Sequence, residues 1–159
     1  MDTKLKEYLE KNDISYVLHE HERVFTVEES KKIKKSIPGL ATKNLFLKSK
    51  DNFYLLLMPA ESRLNTKNLR KILNLRDIKF GSPEELKRHL NTTPGSVSLF
   101  NMIYTPSVIL LIDESVYKAD ITGFHPNDNS ETLEIKNKDF KKFLNSLKSE
   151  KKIISLENE

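Results

Sequence analysis

Three short segments of this chain combine residue types that bind or hydrolyse, and a fourth could begin a metal site. Ala41-Thr42-Lys43-Asn44-Leu45-Phe46 sets a lysine and an amide at the mouth of an apolar run, just after the turn residues Pro38-Gly39. Lys43 could hold a phosphate or a ribose, and Asn44 could bind an ester carbonyl or orient a water. An ordinary solvated strand end would have the same composition. Thr93-Pro94-Gly95-Ser96-Val97-Ser98 follows a glycine with small residues. Such a loop lets the backbone approach a ligand and offer N–H groups to a developing oxyanion, although Gly-Ser turns are common. Gly123-Phe124-His125-Pro126-Asn127-Asp128-Asn129 is the densest polar cluster. The proline biases His125 toward extended backbone, yet a turn rich in Asn, Asp and Pro also forms without any function.

His19-Glu20-His21 would put two imidazoles on one strand face, as a zinc site does. No third ligand follows at a sensible spacing, so no metal is expected. His89 stands beside Lys87 and Arg88 and is expected to be exposed. There is no cysteine, which removes thiol nucleophiles and thiolate metal sites, and no Gly-x-Ser-x-Gly. Ser96 and Ser98 have no base visible in the sequence. A hydrolase built from these parts would work by positioning and backbone electrostatics, which suffices for an activated ester.

The elements that must hold these residues can be read from periodicity and punctuation. Leu5, Tyr8 and Leu9 share one face of a helix over residues 2–12, and Ser15 to His19 alternates as a strand. Thr26 is a natural N-cap, with Glu28 and Glu29 in the first turn, for a helix reaching about Lys35. Asn44–Lys48 and Phe53–Met58 form a hairpin about residues 49–52. Helix is expected over Asn65–Leu75, a short strand near Ile78–Phe80, and a helix opened by Ser82-Pro83-Glu84-Glu85 that stops before Thr92. Val108–Ile112 reads as a buried strand, Thr132–Ile135 as another, Asp139–Lys148 as a helix burying Phe140, Phe143, Leu144 and Leu147, and Ile153-Ile154 as a last strand. Strands neighbour hairpins more than crossover helices, which favours a mixed α/β (α+β) fold with a largely antiparallel sheet and peripheral helices.

The totals bound the function. At 159 residues the chain suits one domain, residues 1–159. No apolar run approaches the ~20 residues that span a bilayer, and the N-terminus has no signal-peptide core. A cytoplasmic protein without membrane contact is expected. No Gly-rich phosphate loop is present, which argues against nucleoside triphosphate or dinucleotide cofactors. The charge is +4, from 27 Lys and Arg against 23 Asp and Glu. Eight basic and four acidic residues fall between Glu20 and Lys50, and seven lysines against four acids between Lys136 and Glu159. These zones could follow a phosphate backbone or simply be solvated.

Taken in order, the segments resemble the YbaK/ProX family of prolyl-tRNA editing domains, in its free-standing branch that deacylates alanyl-tRNA(Pro). The resemblance runs from His19-Glu20-His21-Glu22-Arg23-Val24-Phe25-Thr26-Val27-Glu28-Glu29 to His125-Pro126-Asn127-Asp128-Asn129. It rests on Lys43-Asn44-Leu45-Phe46-Leu47, Pro94-Gly95-Ser96-Val97 and Gly123-Phe124-His125-Pro126-Asn127. It implies a compact barrel-like sheet, no metal and no cofactor. It implies a catalytic set of Lys43, Asn44, Gly95 and Ser96, and a substrate-binding set of Phe46, Val97, Gly123, His125 and Asn129. In this scheme Lys43 holds the terminal adenosine and its phosphate beside Asn44. The Gly95 loop grips the ester through N–H groups, and His125 shapes a pocket for a small amino acid. Attack comes from water, assisted by the ribose hydroxyl of the substrate. The implied partner is mischarged tRNA(Pro), with prolyl-tRNA synthetase as a second candidate and a monomeric state. Removal of cysteine or serine, or non-catalytic tRNA binding, are the rival readings. Two departures stand out: Leu99 occupies the place of the family's loop proline (Gly-x-x-x-Pro), and Glu131 brings a charge where small residues are usual.

Overall fold

The computed structural model describes residues 1–22, 27–126 and 130–156. Six helices and eight strands are present among them: α1 (Thr3–Lys11), β1 (Val17–Glu20), α2 (Val27–Ser36), β2 (Leu40–Ser49), β3 (Asn52–Pro59), α3 (Thr66–Leu73), β4 (Lys79–Phe80), α4 (Pro83–Leu90), β5 (Ile109–Asp113), α5 (Glu114–Lys118), β6 (Ile121–Phe124), β7 (Glu131–Lys136), α6 (Asn137–Ser146) and β8 (Lys151–Ile154). Two 3₁₀ segments, Pro94–Ser96 and Leu99–Tyr104, lie between α4 and β5. The expected N-cap Thr26 and the candidate Asn129 lie outside the described residues.

The strands follow the order β1-β7-β6-β2-β3-β5-β8, with β4 paired to β2 beside this path. The fold is therefore mixed α/β, with helices around an eight-stranded sheet. Four pairings are antiparallel (β1–β7, β6–β7, β2–β3, β2–β4). Three are parallel (β2–β6, β3–β5, β5–β8), a larger share than the hairpin signals suggested. β5 has parallel neighbours on both sides and apolar packing on both faces, which is why Ile109-Leu110-Leu111-Ile112 reads as an unbroken apolar run.

Alternation along β2, β3 and β5 divides the interior in two. Phe46, Leu55, Leu57, Leu110 and Ile112 face a large cluster built with Leu5, Leu9, Leu86, Leu90, Phe140 and Phe143 from α1, α4 and α6. Leu47, Tyr54, Leu56, Met58 and Leu111 face a smaller one with Leu69 of α3 and Ile154 of β8. α4 starts where its sequence said it would. The Ser82 hydroxyl accepts from Glu85 N–H, the Glu85 carboxylate accepts from Ser82 N–H, and Pro83 fills the first turn. Asn91, at φ 55°, ends the helix in the left-handed conformation. The Lys48 ammonium donates to Glu85 Oε2 at 2.8 Å, tying β2 to α4. That hydrogen bond, followed by the one from Ser82 N–H, pulls the Glu85 carboxyl down to about 2.

Four elements differ from the sequence expectation. β1 begins at Val17 rather than Ser15, and α6 begins at Asn137. β6 and α5 occupy residues where no regular element was expected. His89 is half-buried against Phe53, ring centroids 4.0 Å apart, and burial pushes its imidazole below the usual histidine range.

Candidate active site

β2 is the hinge of the site. Its first residues pair in parallel with β6, Leu40 with Thr122 and Ala41 with Gly123. From Thr42 onward β2 pairs with β3 instead, so β6 diverges from it at the level of Gly123. The turn that enters β2 depends on Gly39. Its φ is +96°, and a Cβ there would sit 2.5 Å from the carbonyl oxygen of Ile121. At the point of divergence the buried Thr42 hydroxyl donates to the Gly123 carbonyl oxygen at 2.7 Å. This bond sets the mouth of β2, with Lys43 and Asn44, beside the end of β6, which leads into His125.

Lys43 and Asn44 are neighbours in sequence but fall on opposite faces of the strand. Asn44 shares the face of Phe46, toward the larger cluster. Lys43 shares the face of Ala41, Leu45 and Leu47. The Asn44 Oδ1 atom is buried without a hydrogen-bond partner. Ala41, one strand step before Lys43, lines an open hollow of about 590 Å³ together with Lys31 and Lys35 of α2, Gly39, Leu40 and Pro59. Lys31 and Lys35 are one helical turn apart and present two cations to it, and Glu61 brings one carboxylate to the same hollow.

The loop after α4 meets the residue that follows β6. Ser96 N–H donates to the Thr93 carbonyl oxygen at 2.9 Å, and the Thr92 hydroxyl to the Ser96 carbonyl oxygen at 3.1 Å. The Ser96 amide is thus used by the turn itself, which removes it from the expected row of oxyanion donors. Gly95 is exposed, and a Cβ there would meet nothing within 4 Å. The fold has no steric need for glycine at this position. Ser98 is fully buried, and its hydroxyl donates to the carbonyl oxygen of His125. The loop Gly95–Val97 is thereby tied, through the residue that follows it, to His125.

His125 Nδ1 lies 2.9 Å from the Glu131 carbonyl oxygen. A carbonyl only accepts, so Nδ1 carries the proton, and the tautomer is set. The imidazole of His21 meets it edge to face, centroids 6.5 Å apart. His21 is itself held by the Thr132 hydroxyl at 3.0 Å and the Glu22 carbonyl oxygen at 3.0 Å. The charge at Glu131 has a partner, since its carboxylate takes the amino group of Met1 at 2.8 Å.

The predicted residues thus separate into groups. The Thr42–Gly123 bond sets the end of β6 beside the strand end that carries Asn44, the Ser98–His125 bond ties the loop of Gly95 and Ser96 to His125, and Lys43 lies on the reverse face of that strand end. Val97 is half-buried against the large cluster. Phe46 is a core residue instead of a site residue. It is 5% exposed, stacks on Phe53 at 5.6 Å, and its ring lies over Gly81, where a Cβ would come within 2.3 Å. The paired histidines take separate partners: His19 pairs with Glu134 at 2.8 Å, while His21 turns to Thr132 and His125. Among the described residues no three His, Asp or Glu side chains gather to hold a metal ion.

Sequence reasoning missed Thr42 and weighed Ser98 and His21 only for other roles, as a nucleophile and a metal ligand. Ser98 carried a signal, because Ser98 and Asn101 have the spacing of a capping box. With that cap, Leu99 occupies the first helical position, where no N–H is required and proline would also fit.

Residues 21–143 match the model of the aminoacyl-tRNA editing domain. The chain is 30% identical over 140 residues to the prolyl-tRNA editing protein ProX of Acetoanaerobium sticklandii, covering 86% of this chain and 85% of that protein. It is 28% identical over 159 residues to the prolyl-tRNA synthetase associated domain-containing protein 1 of Danio rerio, covering 97% and 86%. A crystal structure provisionally described as a trans-editing enzyme for prolyl tRNA synthetase superposes with a TM-score of 0.75. It is 14% identical and covers 100% of this chain and 99% of its own, so it shares the fold. The chain belongs to the YbaK/ProX-type aminoacyl-tRNA editing domain family, a family of aminoacyl-tRNA deacylases.

Proposed function

We propose that this chain hydrolyses the ester of mischarged tRNA(Pro), with Ala-tRNA(Pro) as its preferred substrate, acting in trans as one cytoplasmic domain. The observation that carries this reading is the buried, unpartnered Asn44 Oδ1 on the strand end that the Thr42–Gly123 bond fixes beside β6, with the Gly95 loop tied to His125 through Ser98. A buried acceptor without a donor costs about 1–3 kcal/mol. An aminoacyl-adenosine end offers the missing donors in its α-ammonium and ribose hydroxyls.

The two faces of β2 then divide the work. Lys43 and the lysines of α2 take the phosphates, while Asn44, Gly95 and His125 surround the aminoacyl ester. Water attacks the ester carbonyl carbon, and the Gly95 N–H helps bear the charge on the carbonyl oxygen. The carbon–oxygen bond to the ribose breaks. The proton passes by way of the neighbouring ribose hydroxyl to the departing oxygen, giving free amino acid and uncharged tRNA. His125, fixed in orientation by Glu131, sets the size of the amino-acid pocket. The synthetase named in the relatives' descriptions is the natural source of the substrate and a candidate partner.

Deacylation of tRNA(Pro) charged separately with alanine, glycine, serine and cysteine tests this. Alanine is expected to be released fastest, with glycine and serine slower, because one small group changes binding by only ~1–3 kcal/mol. Fastest release of cysteine or serine would transfer the specificity to that residue. Binding of tRNA without release of any amino acid would make the chain a non-catalytic module.

A further inference from the structure

Every polar group of Ser98 is engaged, and one engagement is not needed to build the local structure. Its N–H donates to Asn101 Oδ1 at 2.7 Å, its carbonyl oxygen accepts from Asn101 N–H at 2.9 Å, and its hydroxyl oxygen accepts from Phe100 N–H at 3.1 Å. Those three bonds start the 3₁₀ segment Leu99–Tyr104. A cap uses its hydroxyl as acceptor only, which leaves the hydroxyl proton to be placed. Here it goes 27 residues along the chain, to the carbonyl oxygen of His125. The ring of that same histidine is fixed independently by Glu131.

We propose that Ser98 is a positioning residue for amino-acid selection. It locks the Gly95–Val97 loop to His125, so that two walls of the pocket keep a fixed separation. In this chain the lock supplies the loop rigidity that proline at position 99 would give, since Leu99 is free to serve the core, where it is 1% exposed. The proposal rests on the deacylase reading above, and it adds a residue that acts through His125 and the loop without touching substrate.

The test compares kcat/KM for Ala-tRNA(Pro) and Pro-tRNA(Pro) in wild type, Ser98→Ala, Ser98→Cys and Asn101→Ala, with thermal melting of each. Ser98→Ala removes the lock and is expected to lower the alanine-to-proline ratio about five- to tenfold, the factor one buried hydrogen bond commands. Ser98→Cys is near-isosteric with a weak donor, folds if the alanine variant does not, and shifts the ratio in the same direction by less. Asn101→Ala weakens the cap but leaves the bond to His125, so it lowers the melting temperature with the ratio kept. A ratio that is unchanged in both Ser98 variants, or that falls equally in Asn101→Ala, overturns the lock while leaving the deacylase reading intact. A wild type that releases no amino acid from any charged tRNA(Pro) overturns the deacylase reading and the lock with it.

Discussion

Replacing Gly95 by alanine separates the proposed function from the fold. The backbone at Gly95 is not in the left-handed region, and the added methyl meets no atom within 4 Å. Sterically the change is neutral, and the restricted unfolded chain contributes about 0.4–1 kcal/mol of stabilisation. With ~2–4 °C per kcal/mol for a chain of this size, the melting temperature should stay level or rise by up to about 4 °C. Gly39→Ala provides the contrast. Its φ of +96° disfavours any side chain, and the methyl would lie 2.5 Å from the Ile121 carbonyl oxygen. Strain of ~1–3 kcal/mol plus that forced shift predicts a melting temperature lower by about 4–10 °C. In the proposed site the open space above Gly95 is where the aminoacyl ester lies. Gly95→Ala should therefore lose at least about tenfold in kcat/KM, or ~1.4 kcal/mol of transition-state stabilisation. Differential scanning fluorimetry and single-turnover deacylation of Ala-tRNA(Pro) read the two effects separately. A Gly95→Ala protein that deacylates like wild type would place the substrate elsewhere. One that melts several degrees lower would refute the steric argument.

Lys43→Ala should also lose at least about tenfold in kcat/KM with its fold retained, since Lys43 lies outside both apolar clusters; unchanged deacylation contradicts its role. If Lys31 and Lys35 meet phosphates in their hollow, the affinity for tRNA should fall with salt at a log–log slope of about −0.7 to −0.9 per phosphate, and charge reversal of both should flatten it. A slope near zero would leave them as solvated charges. Glu85 is held at about 2 against 4.5 when unperturbed. Because the folded value is the lower one, its contribution to stability is complete above pH 4.5 and disappears as pH falls toward about 2. The stability difference between wild type and Glu85→Gln, measured by urea unfolding, should shrink over that window; a difference constant from pH 6 to 2.5 would deny the Lys48 pairing its effect.

Local chemistry made much of this fold legible. The β2–β3 hairpin, the cap at Ser82 and the inward face of α6 each depend on neighbours a few residues away. β6 escaped because it has only four residues, carries Gly123, and pairs on one side with β2, some 80 positions earlier in the chain. A parallel pairing of that kind leaves no local periodicity. The same distance hid the site's construction. Lys43, Asn44, Gly95 and His125 could be named from residue type and resemblance. The bonds that tie their segments to one another, from Thr42 to Gly123 and from Ser98 to His125, join residues 81 and 27 positions apart. Phe46 shows the opposite difficulty. An aromatic residue two positions from a polar one suggests a binding surface, and only the packing of Phe53 and Gly81 assigns it to the core.

The central claim is that this site removes a small wrong amino acid and spares the right one. The most direct measurement is the rate at which wild-type protein releases alanine and proline from the same tRNA(Pro), each charged separately and assayed at equal concentration. Rapid loss of alanine with Pro-tRNA(Pro) essentially untouched is the predicted result. Rapid hydrolysis of Pro-tRNA(Pro) would contradict the account, because such an enzyme would destroy the product that editing protects.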